Sequence, residues 1–201
     1  MTRQNIVYVI SDNWAPRRKH ELKDESLRTL RAALELYFKP PLGKYQIVYV
    51  NTFEDILTNL FRRFSQNEDK VGNLIIALHG TEHGVKLPIF GKIQGFLNHK
   101  ELQMHLAGLL DILNDRADTK RRFEDLRGRR IDSQTTLAFF GCNFGKNQQL
   151  MDDLREFLGG NLTVFAPKLK MRVNTPRAGW LTNLSFDNDG PFGLGAGGFA
   201  A

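Results

Sequence analysis

Two residues of this chain have side chains suited to covalent catalysis, and each follows a short apolar run. His79 comes directly after the run at residues 74–78, and Cys142 follows the run at residues 135–140 with Gly141 between. A cysteine attacks as the thiolate, and a neighbouring imidazole can accept the thiol proton. The sequence therefore indicates Cys142 as a nucleophile and His79 as its base, if the fold brings them together.

The glycines beside both candidates allow the backbone to approach a substrate carbonyl closely. We expect the N–H groups of Gly80 and Cys142 to form an oxyanion hole, usually the largest electrostatic contribution in acyl transfer. Cys142 also precedes a predicted helix, whose N–H groups and dipole favour a thiolate. The alternative is that Cys142 is a small buried apolar residue and His79 is a hydrogen-bonded loop histidine.

Both apolar runs are typical of strands that are buried on both faces of a parallel sheet. Because the carboxyl ends of parallel strands share one edge, we expect both candidates at that edge. Strands and helices alternate along the chain, which predicts an α/β fold, a three-layer sandwich with a mostly parallel sheet flanked by helices. The predicted strands are residues 5–11, 45–50, a third ending at His79, 135–140, 162–166 and 180–186, with a small hairpin at 85–90; the predicted helices are residues 20–38, a helix capped by Thr52 that extends to Phe64, and residues 99–114, 119–126 and 148–158.

The chain has 201 residues, 41% of them hydrophobic and 25% charged, which suits one globular domain with a full core. We assign this domain to residues 1–189, with a helical insertion at about 92–130 between the two candidate residues. Residues 190–201 form a tail with five glycines in twelve residues, a composition typical of a flexible or loosely docked end.

The composition also narrows the compartment and the partners. A single cysteine cannot form an internal disulfide, which indicates a reducing compartment, the cytoplasm. No apolar run approaches the ~20 residues that span a bilayer, and residues 6–10 are too short for a signal-peptide core. The net charge of +6 comes largely from basic runs at residues 17–19 and 120–130, but acidic residues interrupt the second run. No nucleic-acid motif accompanies this charge, so a nucleic-acid partner is not expected.

The two blocks LIIALHG and TLAFFGC resemble those of the caspase-like (clan CD) cysteine peptidases, in which one apolar strand ends in His-Gly and a later one in Gly-Cys or Ala-Cys. The segment GCNFG, followed by a helix and LTVFAPK, looks most like bacterial CHAT-type domains. The resemblance implies a cysteine endopeptidase without a cofactor, acting on protein or peptide substrates. It implies Cys142 as nucleophile, His79 as general base or imidazolium partner, and Gly80 as an oxyanion donor. The alternative is a catalytically inactive caspase-like domain that binds a regulatory protein partner.

Two acidic residues near the same edge, Asp12 and Glu82, are candidates for binding a substrate Arg or Lys. A carboxylate there would accept charge-assisted, often bidentate, hydrogen bonds. Several caspase-like relatives cleave after basic residues, which makes the same preference reasonable here. The alternative for Asp12, which is followed by Asn13 and Pro16, is a turn residue.

Two further motifs lie near the candidate residues. HGTEH at residues 79–83 matches the H-x-x-E-H signature of some zinc peptidases. That signature needs both histidines on one helix face, and the glycines here argue against a helix, so we expect no metal. The RGRR run at residues 127–130 resembles an exposed link before the Cys142 strand, a candidate for self-processing.

Overall fold

A computed structural model describes residues 2–10, 45–65, 68–91, 95–140 and 144–166. Its main sheet has five strands, and every neighbouring pair is parallel. They are β1 (Arg3–Ile10), β2 (Tyr45–Val50), β3 (Lys70–Ala77), β6 (Thr136–Phe140) and β7 (Thr163–Phe165), in the spatial order β2-β1-β3-β6-β7. Two short strands, β4 (His79–Gly80) and β5 (Val85–Lys86), form a separate antiparallel hairpin.

The described helices connect these strands. They are α1 (Phe53–Phe64), α2 (His99–Asn114), α3 (Ala117–Asp125) and α4 (Gln148–Phe157). A π-helical turn, Leu126–Arg130, continues α3, and a 3-10 turn, Phe144–Lys146, precedes α4. The apolar faces of the helices share one core with alternate residues of the strands, including Ile6, Tyr8, Leu74, Ile76, Leu137 and Phe139.

The opposite face of the sheet is also buried. Val7, Val9, Ile75, Ala77 and Ala138 have no exposed surface, yet they lie outside the core that the described helices share. Strands buried on both faces carry continuous apolar runs, because neither face meets water. The sheet is therefore the middle layer of an α/β three-layer sandwich, and the predicted fold class is confirmed.

Most predicted elements are observed within one or two residues of their predicted bounds. The helix predicted after Thr52 is α1, and the Thr52 side chain accepts a hydrogen bond from the backbone of Asp55. The reciprocal bond from the Thr52 backbone to the Asp55 carboxylate completes a capping box. The helix predicted at residues 20–38 and the strand predicted at 180–186 lie outside the described residues.

Three predictions about local structure are wrong. The hairpin predicted at residues 85–90 is formed instead by His79–Gly80 and Val85–Lys86. β3 ends at Ala77, and His79 begins the separate strand β4 instead of ending the third strand. The RGRR run is not a link, because it forms the π-helical turn, with Leu126 and Ile131 buried on either side. An ordered, packed turn lacks the exposed backbone that favours nicking, so the structure does not favour self-processing there.

Asp132 ties together the amino-terminal ends of three strands. Its carboxylate accepts hydrogen bonds from Arg3 Nη2, at 2.8 and 2.9 Å, and from Lys70 Nζ, at 2.8 Å. Arg3 opens β1, Lys70 opens β3, and Asp132 lies just before β6. The hydrogen bonds from Arg3 and Lys70 hold the pKa of Asp132 well below its usual range.

Replacing Asp132 with asparagine should lower the free energy of unfolding at pH 7 by about 1 kcal/mol, because an amide cannot accept charge-assisted bonds from both cations. The folded-state pKa of Asp132 is depressed, so its contribution is complete above the ordinary value of 3.8 and is lost progressively as the pH falls from there towards the folded-state pKa. Urea unfolding at neutral pH and at about pH 3 should therefore give a smaller cost at acid pH.

Asp111→Asn, on the exposed side of α2, is the matched control and should change little at either pH. An equal cost of Asp132→Asn at both pH values would contradict the assignment.

Candidate active site

The candidate site lies where the strand order of the sheet reverses. β1 is flanked by β2 on one side and by β3 on the other, so the connections leaving β1 and β2 run in opposite directions. Ligands of open α/β sheets bind outside the carboxyl ends of the strands at such a switch point. β3 ends beside β1 there, with Val9 paired to Ala77. The residues that follow Ala77 therefore belong to the expected binding crevice.

The last paired residues of β3 and β6 show how the segments that carry His79 and Cys142 begin side by side. Ala77 pairs with Phe140, and parallel neighbours lie about 4.8 Å apart. His79 stands two positions after Ala77 in the sequence, and Cys142 stands two positions after Phe140. Cys142 itself lies outside the described residues, as does Asp12.

His79 occupies the first position of the β4–β5 hairpin. Leu78 is buried between β3 and β4, His79 is partly exposed and Gly80 is buried. In the hairpin, His79 faces Lys86 and Gly80 faces Val85. The imidazole is thus carried by a short hairpin on the carboxyl edge of the sheet.

The hydrogen-bond pattern of the hairpin directs the N–H of Gly80 away from β5. The Thr81 N–H donates to Gly84 O at 2.8 Å, so Thr81 and Gly84 form a hydrogen-bonded pair. Pairs alternate in an antiparallel ladder, which makes Gly80 and Val85 a non-hydrogen-bonded pair. Val85 confirms this, since it exchanges both of its backbone hydrogen bonds with Leu97, at 2.9 and 2.8 Å. An oxyanion donor requires an N–H oriented away from the ladder in this way.

The Thr81 side chain holds the turn that closes the hairpin. Its hydroxyl oxygen accepts hydrogen bonds from the N–H groups of His83, at 3.2 Å, and Gly84, at 3.0 Å. Short turns closed by a threonine hydroxyl in this way restrict the backbone without a regular hydrogen-bond ladder. The turn thus fixes where the strand carrying His79 ends.

Glu82, in this turn, contacts the segment that precedes α4. Its carboxylate lies 3.5 Å from Lys146 Nζ, and its backbone oxygen accepts a hydrogen bond from Asn147 Nδ2 at 3.2 Å. Asn147 is also the N-cap of α4, accepting from the Leu150 N–H. The structure therefore joins the turn that follows His79 to the segment that follows Cys142 in sequence. Neither Lys146 nor Asn147 was predicted from the sequence, since only a contact across 64 or 65 residues singles them out.

The surroundings of Glu82 bear on its predicted role in binding a substrate cation. Its carboxylate is about half exposed and also lies 3.4 Å from His83 Nε2. A substrate Arg or Lys would compete with Lys146 for this carboxylate. Glu82 is thus accessible at the edge, but it already has one cationic neighbour.

The zinc-peptidase interpretation does not fit the geometry. Residues 79–86 form a hairpin, so His79 and His83 do not share a helix face. His83 lies in the turn with its side chain 89% exposed. Among the residues that the structure describes, no three His, Cys, Asp or Glu side chains converge as a metal site.

A comparison with known proteins adds no family to these observations. The chain matches no protein-family model, and no curated protein is significantly similar to it in sequence. The caspase-like resemblance therefore rests on the two sequence blocks LIIALHG and TLAFFGC. Within the described ranges, no helix is long and apolar enough to cross a membrane.

Gly84→Ala should disturb the hairpin that carries His79. A Cβ atom on Gly84 would lie 2.8 Å from Leu97 O and 3.1 Å from Phe96 Cβ, too close for either to remain in place. The strain should cost about 1–3 kcal/mol of unfolding free energy. It should also speed hydrogen exchange of the Val85 and Leu97 amides, which mass spectrometry measures.

Gly128→Ala is the control, since an added Cβ there meets nothing within 4 Å. It should be neutral or stabilising, because alanine favours helix. Unchanged exchange in Gly84→Ala would show that the hairpin is not held as described.

Proposed function

We propose that this protein is a cysteine endopeptidase of the caspase-like type, in which Cys142 attacks the peptide carbonyl and His79 is its proton acceptor. The observation that carries the proposal is the pairing of Ala77 with Phe140. His79 follows Ala77 by two positions, and Cys142 follows Phe140 by two positions. Two adjacent strands therefore lead into a His and a Cys at the same sequence distance from one edge of the sheet. Glu82 follows His79 in the sequence, and Lys146 and Asn147 follow Cys142. The contact of Glu82 with these two residues supports the proposed closeness of His79 and Cys142.

The proposed reaction has two acyl-transfer steps. His79 accepts the thiol proton, and the thiolate forms a bond to the carbonyl carbon, whose oxygen becomes an oxyanion. The N–H groups of Gly80 and Cys142 stabilise that charge. The oxyanion collapses, the carbon–nitrogen bond breaks, and the His79 imidazolium donates its proton to the leaving amine. Water, deprotonated by His79, then hydrolyses the thioester and restores the thiol.

The chemistry of the nucleophile also suggests where the protein works. A lone thiol with no internal disulfide partner stays reactive only where it is kept reduced. We therefore assign the protein to the cytoplasm. The proposed reaction makes its substrates proteins or peptides.

Alkylation of Cys142 tests the dyad directly, because it is the only thiol in the chain. At about pH 6, iodoacetamide should label the parent protein at least about tenfold faster than a free cysteine, since an adjacent base raises the thiolate fraction. His79→Ala should remove this advantage. Cys142→Ala should abolish both labelling and cleavage of a fluorogenic peptide library.

His83→Ala is the matched control, since it makes the same chemical change four residues away on an exposed ring. It should label at the parent rate. Equal rates in the His79→Ala and parent proteins would overturn the dyad. Fast, His79-dependent labelling without any peptide cleavage would favour the second candidate function, an inactive caspase-like domain that binds a regulatory partner.

The substrate preference is a further part of the proposal. We expect cleavage after Arg or Lys, with Asp12 or Glu82 accepting hydrogen bonds from the substrate cation. Asp12→Ala should reduce cleavage after basic residues by about tenfold or more while leaving the alkylation rate of Cys142 unchanged. Glu82→Gln is the parallel variant, and the larger loss identifies the binding residue. Profiling a peptide library checks both, and a preference of the parent for acidic or apolar residues would contradict this assignment.

A further inference from the structure

A cleft at the amino-terminal edge of the sheet lies at the end opposite to the candidate active site. Its volume is about 710 Å³. One wall is the last turn of α1, and the other is formed by α3 with the π-helical turn that continues it. α1 ends just before β3 begins, and the π-helical turn precedes β6, which sets the cleft at this edge. Arg130 Nη1 donates to Asp69 O, at 3.3 Å, directly before β3.

The floor of the cleft is apolar and its rim is basic. Leu60, Phe64 and Leu126 are almost fully buried beneath it, and Phe61 is partly exposed. Four arginines line the cleft, namely Arg121, Arg122, Arg129 and Arg130, together with the acidic Glu124 and Asp125. Residues 116–130 carry seven basic and three acidic residues, so much of the net charge of +6 is concentrated here. A floor of this kind suits an apolar side chain, and the rim suits an anion.

The π-helical turn separates the roles of the last two arginines. The Ile131 N–H donates to Leu126 O at 2.9 Å, the i to i−5 hydrogen bond of a π-helix. This wider turn brings Arg130, five residues after Asp125, to 2.9 Å from that carboxylate. Arg129 is left 3.6 Å from the same group and 83% exposed. π-Helical turns are rare and occur frequently at functional sites.

The exposed arginines can exchange their present partners at small cost. Arg121 is 81% exposed and lies 3.1 Å from Asp118, within the same helix. Exposed ion pairs of this type contribute little to stability, so an incoming carboxylate need only match a weak interaction. Arg130, only 16% exposed, is held in place by Asp125 and the Asp69 backbone. The rim thus combines one mostly buried, doubly held cation with exposed cations in weaker ion pairs.

We propose that this cleft binds an acidic peptide segment of a partner protein. An apolar side chain of the segment packs against Phe61, and its carboxylates accept hydrogen bonds from Arg121 and Arg129. A nucleic acid fits less well, because Asp118, Glu124 and Asp125 interrupt the basic surface and would repel a continuous phosphate backbone. A peptide can instead place its charges between these carboxylates and its apolar residue over the floor.

Panning a random dodecapeptide library displayed on phage against the full chain tests the proposal. The expected result is enrichment of peptides that contain several Asp or Glu residues and an aromatic or large aliphatic residue. A fluorescein-labelled copy of the most enriched peptide should bind Arg129→Glu at least about tenfold more weakly than the parent, since one attractive charge becomes repulsive. Its binding to the parent should weaken with added salt.

Lys100→Glu is the matched control, since it makes the same charge change on an exposed residue of α2, outside the cleft. Its affinity should stay within about twofold of the parent, and circular dichroism should show that both variants are folded. The proposal is overturned if no acidic peptide is enriched, or if Arg129→Glu and Lys100→Glu bind the peptide equally. It is also overturned if a single-stranded or duplex oligonucleotide binds more tightly than the peptide and Arg129→Glu abolishes that binding. The same holds if the parent self-associates in analytical ultracentrifugation and Arg129→Glu abolishes this association.

Discussion

The parallel register between β3 and β6 is the constraint on which the candidate site depends. Side chains of a strand alternate between its two faces, so a slip of one residue would turn every side chain of β6 to the wrong face. Leu137 and Phe139 are buried in the core with the helices, and Ala138 is buried on the opposite face. A slip would exchange these environments. Core packing therefore fixes the register, and the register determines which residues follow the two strands at the same edge.

A buried hydrogen bond between β1 and α1 adds to the apolar packing in fixing the fold. Tyr8 is fully buried in the sheet, and its hydroxyl donates to Asn59 Oδ1 of α1 at 2.8 Å. Arg63 Nε donates to the same oxygen at 2.6 Å, and burial raises the pKa of the Tyr8 phenol well above its usual value. A buried hydroxyl without a partner would cost about 1–3 kcal/mol. The hydrogen bond between Tyr8 and Asn59 therefore fixes the position of α1 on the sheet. In the same way, Asp132 fixes the amino-terminal ends of β1 and β3.

The sequence predicted the elements that depend on local patterns and missed those that depend on distant contacts. The apolar runs of β3 and β6 and the cap at Thr52 are local signals, and each predicted the right type of element, although β3 ends two residues before His79. The hairpin predicted at residues 85–90 is formed instead by His79–Gly80 and Val85–Lys86. Its pairing depends on the Thr81 hydroxyl and on Leu97, which bridges Val85 from outside the turn. The π-helical turn was missed because Arg130 bonds across 61 residues to Asp69. From composition alone, the glycine and arginines of RGRR predict a loop, and only the contact of Arg130 with Asp69 indicates an ordered turn.

The two ends of the sheet can act on one ligand only if that ligand is long. β3 has eight residues, which at about 3.3 Å each separate its ends by roughly 26 Å. An extended peptide needs at least about eight residues to cover the same distance, and more if it follows the curved surface of the helices. A short acidic segment in the cleft would therefore leave the carboxyl edge free. A longer chain that carries an acidic segment at such a distance from its scissile bond would bind both ends, and its second contact would be intramolecular. Under the proposed peptidase function, a ligand of the cleft would therefore help to select protein substrates and would not block the candidate active site.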